Sequence, residues 1–261
     1  MATIGNMKPA IVLIHGAWHV PDTYEKLATA LRTIGYEVHV PRLPSVSEVR
    51  PPTAGLSADS ELVRSVVENL ANSGRTIIAV MHSYGGQVGS NALHGLGLAT
   101  RAERGLPGGV SHLVYMCAFA LPEGGTMAGK VKEFNHEHLL PLTLDIADDQ
   151  SVIIRDPKTM LIGEDGATEA EIETYLSTLL RWNAKCMSDE LAHAAWREIP
   201  VSYIYATNDM MIPLDYQKSM VDCLQANGCS VETFTLETGH CPNLTATHGV
   251  VDVINKVAAI H

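Results

Sequence analysis

The sequence predicts an α/β fold: a mostly parallel central sheet flanked by helices, with an inserted, mainly helical cap. Two observations predict it. Short apolar runs rich in β-branched residues alternate with amphipathic helical patterns, and this alternation stops between residues 121 and 199. The runs predicted as strands are Ala10–Ile14, Tyr36–Val40, Thr76–Met81, Ser111–Cys117, Val201–Tyr205 and Ser230–Leu236. Because these runs are apolar on both faces, we expect helices to cover both sides of the sheet.

Helical patterns separate most of the predicted strands. Asp22 followed by Glu25 predicts a capping box that starts the first helix, and Gly35 is placed to end it. Two further helices are predicted from the spacing of apolar residues, at Leu62, Val66 and Leu70 and at Val250, Val253, Ile254 and Val257.

The predicted domain organisation is an α/β core of residues 1–120 and 200–261 with a cap subdomain, residues 121–199, inserted in it. Within the cap we expect a short hairpin in SVIIRDPKTMLI and helices over Glu169–Leu180 and Asp189–Trp196. We place the cap over the C-terminal edge of the sheet, where open α/β folds bind ligands. The alternative is that these helices pack on the sheet as ordinary elements.

Composition excludes several classes of protein. The net charge is −11 and no cluster of Lys and Arg is present, so we expect no nucleic-acid partner. The five cysteines are an odd number without a C-x-x-C motif, and the start of the chain, MATIGNMK, lacks the apolar stretch of a signal peptide. We therefore expect a cytoplasmic protein with reduced thiols and no membrane partner. Composition leaves open whether it is a monomer or a homodimer.

A serine, an aspartate and a histidine each follow a predicted strand. They are Ser83 in MHSYGG, Asp209 in ATNDMMIP and His240 in ETGHCP. The carboxyl ends of parallel strands meet at one edge of a sheet, so these side chains are expected to lie together as nucleophile, orienting acid and general base. The chain order Ser, Asp, His is the one that α/β-hydrolases use. Asp215 and Glu237 are alternative acids.

The segment around Ser83 departs from the familiar hydrolase pattern G-x-S-x-G, because Met81 stands at the first glycine. That glycine leaves room in the turn and carries no chemistry. We therefore expect the neighbouring helix or strand to accommodate Met81, while Gly85 is retained. Gly86 and Gly89 are expected to let the following helix pack tightly.

The run IVLIHGAW predicts a tight turn next to Ser83, at the end of the first strand. The backbone N–H groups of Ala17 and Tyr84 would form an oxyanion hole there. We expect the ring of His15 to fix this turn through hydrogen bonds rather than to act in catalysis. The residues expected to line the substrate pocket are Trp18, His19, Tyr175, Trp182 and Met187.

Two histidines in NHEH, His136 and His138, have no further ligands at a spacing typical of a metal site. We interpret them as part of a solvated cap segment. No metal and no cofactor are therefore predicted.

The motifs HGAW, HSYGG, LPEGG, TND-x-x-IP and GHCPNL together resemble the α/β-hydrolase superfamily. The most similar branch contains methylesterases, hydroxynitrile lyases and related microbial esterases. This resemblance implies a triad of Ser83, Asp209 and His240 and an oxyanion hole at Ala17 and Tyr84. Hydroxynitrile lyases of this branch carry a lysine directly after the catalytic histidine, where this chain has Cys241. The resemblance therefore favours an esterase over a lyase.

The function predicted from the sequence is a cofactor-free serine hydrolase that cleaves a carboxylic ester or lactone of a small to medium apolar substrate. Two alternatives remain open. The same triad could catalyse C–C bond cleavage, elimination or cyclisation in secondary metabolism, or the chain could be a non-catalytic ligand receptor on a hydrolase scaffold.

Overall fold

The computed structural model describes residues 8–163 and 166–260 of the chain. The expectation that the chain begins without a signal peptide therefore concerns residues that lie mostly outside the described range. Within that range, no helix combines the length and the apolar character needed to cross a membrane.

A parallel sheet forms the centre of the protein. The strands of the chain are β1 (Ala10–Ile14), β2 (Val38–His39), β3 (Thr76–His82), β4 (Gly109–Met116), β5 (Leu144–Ile146), β6 (Ser151–Ile154), β7 (Trp182–Asn183), β8 (Val201–Ala206) and β9 (Val231–Leu236). Six of them form the central sheet in the order β2-β1-β3-β4-β8-β9, and every neighbouring pair is parallel. The predicted α/β fold class is confirmed.

Helices cover both faces of this sheet. The helices among the described residues, including those between residues 121 and 199, are α1 (Glu25–Thr33), α2 (Leu56–Asn72), α3 (Gly85–Ala92), α4 (Leu98–Glu103), α5 (Met127–Glu133), α6 (Leu140–Thr143), α7 (Glu169–Ser177), α8 (Leu214–Ala226), α9 (Pro242–Thr245) and α10 (Thr247–Ala258). Successive strand residues point to opposite faces. Val12 of β1 thus belongs to the core beneath α2, α3 and α8, and its neighbour Leu13 to the core beneath α1 and α10.

The first helix begins differently from the prediction. A short 3-10 turn over Pro21–Tyr24 precedes α1, and the side chain that bonds at its start is that of Thr23, which accepts from the amide of Val20 at 2.9 Å. Glu25 instead accepts hydrogen bonds from Thr29 and Arg32 on the exposed face of α1. The predicted capping box is therefore wrong, while the predicted end at Gly35 agrees with α1 ending at Thr33.

The segment between residues 121 and 199 is less helical than predicted. The strands β5, β6 and β7 lie within it and form a small antiparallel sheet of their own. The predicted hairpin is wrong in its second half, because β6 pairs with the preceding β5 and Lys158–Ile162 forms a π-helix. None of the described strands between residues 121 and 199 joins the central sheet. The division into a core and a cap subdomain stays a prediction.

The predicted helix over Asp189–Trp196 is also wrong, and only a 3-10 turn over Ala195–Arg197 forms there. Its backbone bonds to other segments instead of to itself. Leu191 exchanges two backbone hydrogen bonds with Gly124 and Gly125. The side-chain oxygen of Asn91 on α3 accepts from the amides of the next two residues, Ala192 and His193. Helix α7 forms as predicted from Glu169 but ends at Ser177.

Candidate active site

Ser83 lies in the sharp turn between β3 and α3. Its φ is +55°, a left-handed conformation that is uncommon for a residue with a side chain. Such strain is found where surrounding structure enforces it, frequently at functional sites. The residue is 5% exposed, so its hydroxyl faces the interior of the protein. This strand-turn-helix arrangement is the one that the G-x-S-x-G motif forms around a nucleophile.

Glycines on α3 allow this turn to pack closely. A Cβ atom at Gly85 would lie 2.2 Å from the carbonyl oxygen of Ile14 in β1, a distance that no side chain tolerates. A Cβ atom at Gly89, one turn further along α3, would lie 2.2 Å from the sulfur of Met81. Met81 replaces the usual first glycine of the motif, and the side chain missing at Gly89 provides the room for it.

The three residues predicted as a triad form one hydrogen-bonded chain. His240 Nδ1 lies 2.7 Å from Asp209 Oδ2, and His240 Nε2 lies 2.9 Å from Ser83 Oγ. A carboxylate only accepts hydrogen bonds, so the imidazole donates from Nδ1 and Nε2 accepts from the serine hydroxyl. Asp209 and His240 are both buried, with 5% and 1% of their surfaces exposed.

The carboxylate of Asp209 is fixed by its own loop. Its second oxygen, Oδ1, accepts from the backbone amides of Met211 and Ile212, each at 2.8 Å. The two alternative acids, Asp215 and Glu237, are exposed. Of these three carboxylates, only that of Asp209 is hydrogen-bonded to His240.

The turn after β1 brings Ala17 beside the serine. A Cβ atom at Gly16 would lie 3.0 Å from Ser83 Cβ, which shows how closely this turn approaches the strand-to-helix turn. Ala17 and Tyr84 are 1% and 0% exposed, and their backbone N–H groups donate no hydrogen bond within the described part of the chain. Both amides are thus available to a bound group.

The ring of His15 holds this turn in place, as expected. The amide of Leu43 donates to His15 Nε2 at 3.0 Å, so Nδ1 carries the proton and donates to the carbonyl of Gly16 at 2.9 Å. Burial lowers the pKa of His15 to about 4, so the ring is neutral at pH 7. Both nitrogens are used within the protein.

Sequence reasoning missed a second histidine network directly behind the triad. His82 Nε2 donates to the backbone carbonyl of His240 at 2.6 Å, and Cys117 Sγ donates to the same oxygen at 3.3 Å. His82 Nδ1 is bonded to the hydroxyl of Tyr24, which in turn accepts from the amide of Gly16 at 3.1 Å. A histidine immediately before the serine was the available signal. This chain of bonds links the turn at Gly16 to the backbone of His240.

Among the described residues, one group of three or more His, Cys, Asp or Glu side chains has ligand atoms close enough together to surround a metal ion. Its members belong to the triad and to this network. The group consists of His82, Cys117 and His240. The nitrogens of His240 bond to Asp209 and Ser83, and the other two residues donate to its carbonyl. Burial lowers the pKa of His82 well below its usual value, which fits a neutral ring with one donor and one acceptor.

Comparison with known sequences identifies the family. The family model described as Alpha/beta hydrolase family matches residues 11–253. The chain belongs to the alpha/beta hydrolase family. Its relatives include Alpha/beta hydrolase nvfD of Aspergillus novofumigatus (strain IBT 16806), which is 29% identical over 256 residues, 97% of each chain.

Solved structures of other alpha/beta hydrolases share the fold at low sequence identity. A pyrethroid hydrolase from Sphingobium faniae JZ-2 matches with a TM-score of 0.72 at 20% identity, over 96% of this chain and 97% of that one. The methylesterase MES16 from Arabidopsis matches with a TM-score of 0.74 at 15% identity, over 97% and 100% of the two chains. The predicted membership of the α/β-hydrolase superfamily is confirmed by the family model, and these structures show that the fold is shared.

A cavity of about 110 Å³ opens directly in front of Ser83 in this hydrolase. Of the five residues expected to line a pocket, Trp18, Trp182 and Met187 line this cavity. Its other walls are almost entirely apolar, and no Asp, Glu, Lys or Arg lines it; they include Phe119, Met127, Met160, Met210, Met211 and Ile212.

The other two expected pocket residues, His19 and Tyr175, do not line the cavity, so that prediction was wrong. They are buried behind the turn after β1, with their rings 5.7 Å apart. His19 Nδ1 bonds to the carbonyl of Ala17 at 2.6 Å, which holds the ring against its own turn. Burial lowers the pKa of His19 to about 3. Cys241 is fully buried beside it, with its sulfur 3.7 Å from His19 Nε2.

The interpretation of the NHEH segment as solvated is wrong for one of its histidines. His138 is exposed, as expected. His136 is half-buried, lines the cavity, and bonds through Nδ1 to the hydroxyl of Tyr216 at 2.9 Å. Tyr216, on the first turn of α8, lines the cavity as well. The long sequence separation of this pair left no signal in the chain.

Proposed function

We propose that the protein is a serine hydrolase that cleaves a carboxylic ester or lactone of a small to medium apolar substrate through an acyl-enzyme. One observation carries this proposal: a single buried imidazole, His240, bonds to Asp209 through one nitrogen and to Ser83 through the other. A serine hydroxyl attacks an ester only when a base removes its proton, and this arrangement provides that base.

The reaction follows from the direction of these hydrogen bonds. Ser83 Oγ attacks the ester carbonyl while its proton passes to His240 Nε2, and Asp209 stabilises the imidazolium that forms. The amides of Ala17 and Tyr84 donate to the negative oxygen of the tetrahedral intermediate. His240 then gives the proton to the leaving alcohol. A water molecule, activated by the same histidine, hydrolyses the acyl-enzyme and restores Ser83.

The cavity supports an uncharged, apolar substrate. Its walls carry no ionised side chain, so a charged substrate would lose its hydration without gaining a partner. The size of about 110 Å³ favours a substrate of modest length. Transfer of hydrocarbon from water to such walls is favourable at roughly 25 cal/mol per Å² of buried surface.

The position after His240 supports hydrolysis over cyanohydrin cleavage. Cys241 is fully buried, and burial raises the pKa of its thiol, so the residue stays neutral. A neutral thiol supplies no positive charge to stabilise a cyanide leaving group. Alpha/beta hydrolase nvfD, the relative compared above, is itself named as a hydrolase.

A panel of p-nitrophenyl and ethyl esters, assayed beside a panel of 1,3-diketones, tests the proposal. We expect the unsubstituted protein to hydrolyse several apolar esters and Ser83→Ala to show no activity above background. Activity confined to the diketones would contradict ester hydrolysis and favour C–C bond cleavage by the same triad. Activity on neither panel would contradict both reactions.

A further inference from the structure

The cavity in front of Ser83 contains few groups that can hydrogen-bond to a ligand. Its lining side chains with polar atoms include Ser83, Thr143, His136 and Tyr216. Ser83 is bonded to His240, and the hydroxyl hydrogen of Thr143 is directed to the carbonyls of Leu139 and Leu140 in its own helical turn. The indole N–H of Trp18 donates to the carbonyl of Val152, and the indole nitrogen of Trp182 is buried. The pair of His136 and Tyr216 therefore remains as a polar feature of the cavity lining that neither the triad nor a helix uses.

This pair is held rigidly from two sides. The amide of His136 donates to the carbonyl of Val131 at the end of α5, and the amide of Tyr216 donates to Pro213 at the start of α8. The two rings lie nearly parallel, 5.7 Å apart, and Phe134 stacks on Tyr216 at 4.3 Å. Aromatic stacking of this kind restricts ring orientation. The polar atoms thus occupy a fixed place in the cavity wall.

One hydrogen-bond donor of the pair has no partner in the described chain. Burial, with the nearby carboxylates of Glu137 and Glu133, raises the pKa of Tyr216, so its phenol stays protonated at neutral pH. If the phenol donates to Nδ1, the second ring nitrogen of His136 carries a hydrogen. If Nδ1 donates to the phenol, the phenolic hydrogen is free. Either arrangement leaves one N–H or O–H and at least one lone pair without a partner in the described chain.

We propose that His136 and Tyr216 form a recognition site for a second, uncharged oxygen of the substrate. The substrate is then a neutral ester or lactone with a hydrocarbon body that also carries a hydroxyl or carbonyl oxygen. A substrate without this oxygen forms no hydrogen bond with the pair, and the loss of such a bond is one way in which enzymes discriminate between analogues. The reading of the cavity as a substrate site rests on the proposed ester hydrolysis.

Binding of matched esters to the Ser83→Ala protein tests this recognition site without any turnover. The ligands are ethyl phenylacetate and its 2-, 3- and 4-hydroxy derivatives, measured by isothermal titration calorimetry. Each ligand is measured with the Ser83→Ala protein and with three versions of it that carry one further substitution. These substitutions are His136→Leu, Tyr216→Phe and, as a control, His138→Leu. His138 is the exposed histidine of the same segment. Thermal unfolding verifies the fold of each variant. His136→Leu removes the imidazole of the pair, and Tyr216→Phe removes its hydroxyl.

We expect at least one hydroxylated ester to bind about tenfold more tightly than the unsubstituted ester, as one additional hydrogen bond implies. His136→Leu and Tyr216→Phe are expected to abolish this advantage, and His138→Leu to retain it. Equal binding of all four esters would overturn the recognition site, as would an advantage that survives both pair variants. Failure of ester hydrolysis itself appears separately, as lack of activity in the protein that retains Ser83.

Discussion

At the scale of single residues, Met81 shows how the turn at Ser83 tolerates a departure from the usual motif. The side chain occupies space that a glycine would leave empty, and the corresponding glycine lies on the facing helix at Gly89. The large side chain thus stands at position 81 and the glycine at position 89. The strained φ of Ser83, +55°, is kept.

This arrangement predicts a compensating pair of substitutions. Gly89→Ala alone is expected to destabilise the protein by about 1–3 kcal/mol through overpacking, and Met81→Gly alone by about 2–5 kcal/mol through an internal cavity. The double variant should be more stable than the sum of the two losses implies. Met81→Gly should keep ester hydrolysis within about tenfold of the original protein. Chemical denaturation and initial-rate assays measure both; strictly additive losses would contradict this account of the packing.

The assignment of Asp209 as the acid of the triad can be tested against the alternative acid Asp215. Asp209→Asn is expected to lower kcat roughly 10⁴-fold, because an amide no longer fixes the proton on His240 Nδ1. Asp215→Asn changes an exposed carboxyl on the next helix and should leave kcat within twofold, on the order expected of a surface change. Steady-state kinetics on one apolar ester compare the two. A larger loss from Asp215→Asn would move the acid to that position.

At the scale of elements, the turn after β1 connects the central sheet to the antiparallel one. Trp18 in this turn has a φ of +64°, and its indole N–H donates to the carbonyl of Val152 in β6 at 3.0 Å. Trp18 also lines two cavities. One is the cavity at Ser83. The other, of about 220 Å³, is lined mostly by apolar residues such as Leu176, Leu179 and Leu180, together with Glu48 and Arg181.

Removal of the Trp18 side chain is expected to change the acyl-chain length that the protein prefers in an ester. Trp18→Ala should join the two cavities and raise kcat/KM for decanoyl esters relative to butanoyl esters by about tenfold, since longer chains gain buried surface. Leu179→Ala enlarges only the second cavity and should leave the ratio unchanged. Rates with p-nitrophenyl esters of both lengths measure it. An unchanged ratio in Trp18→Ala would show that the cavities stay separate.

Elements whose signal is local could be predicted from the sequence, and those built from distant pairings could not. The strands β1, β3 and β8 are apolar runs that are recognisable by themselves, and they lie where the runs predict them. The edge strand β2 is shorter than predicted, with only Val38 and His39 in it. The strand β5 has three residues and is defined by its partner β6, a pairing without a local pattern. The stretch at Leu191 looked helical, but its backbone bonds to residues far away in sequence.

The candidate site divides in the same way. Ser83, Asp209 and His240 could be located because each follows a strand and all strands of the sheet end at one edge. His19 was misplaced because position in a turn does not reveal which way a ring points. The pair of His136 and Tyr216 was missed because its partners lie on separate elements.

At the scale of the whole molecule, three neutral histidines buried around the site make stability depend on pH. Burial lowers the pKa of His15 and His19 from 6.5 to about 4 and about 3, and that of His82 well below 6.5. Below pH 6.5 the unfolded chain binds protons that the folded protein excludes. The free energy of unfolding therefore falls as the pH decreases from 6.5 towards 4.

Each of these histidines is expected to contribute up to about 1.4 kcal/mol per pH unit in that window. Asp59, whose pKa burial raises, acts in the opposite sense, because its contribution is lost as the pH rises. Urea unfolding between pH 7 and pH 5 measures the net slope. His19→Phe should reduce the slope, and His138→Leu, an exposed histidine, should leave it unchanged. Equal stability at pH 5 and pH 7 would contradict this account.

The central claim is that Ser83 is a nucleophile activated by His240. Reaction with a fluorophosphonate, followed by intact-mass measurement and peptide mapping, tests it most directly. We predict one adduct per chain, located on Ser83, with none in Ser83→Ala and a rate lowered at least about 10³-fold in His240→Gln. An adduct on another residue, or equal labelling of the unsubstituted protein and Ser83→Ala, would contradict the claim.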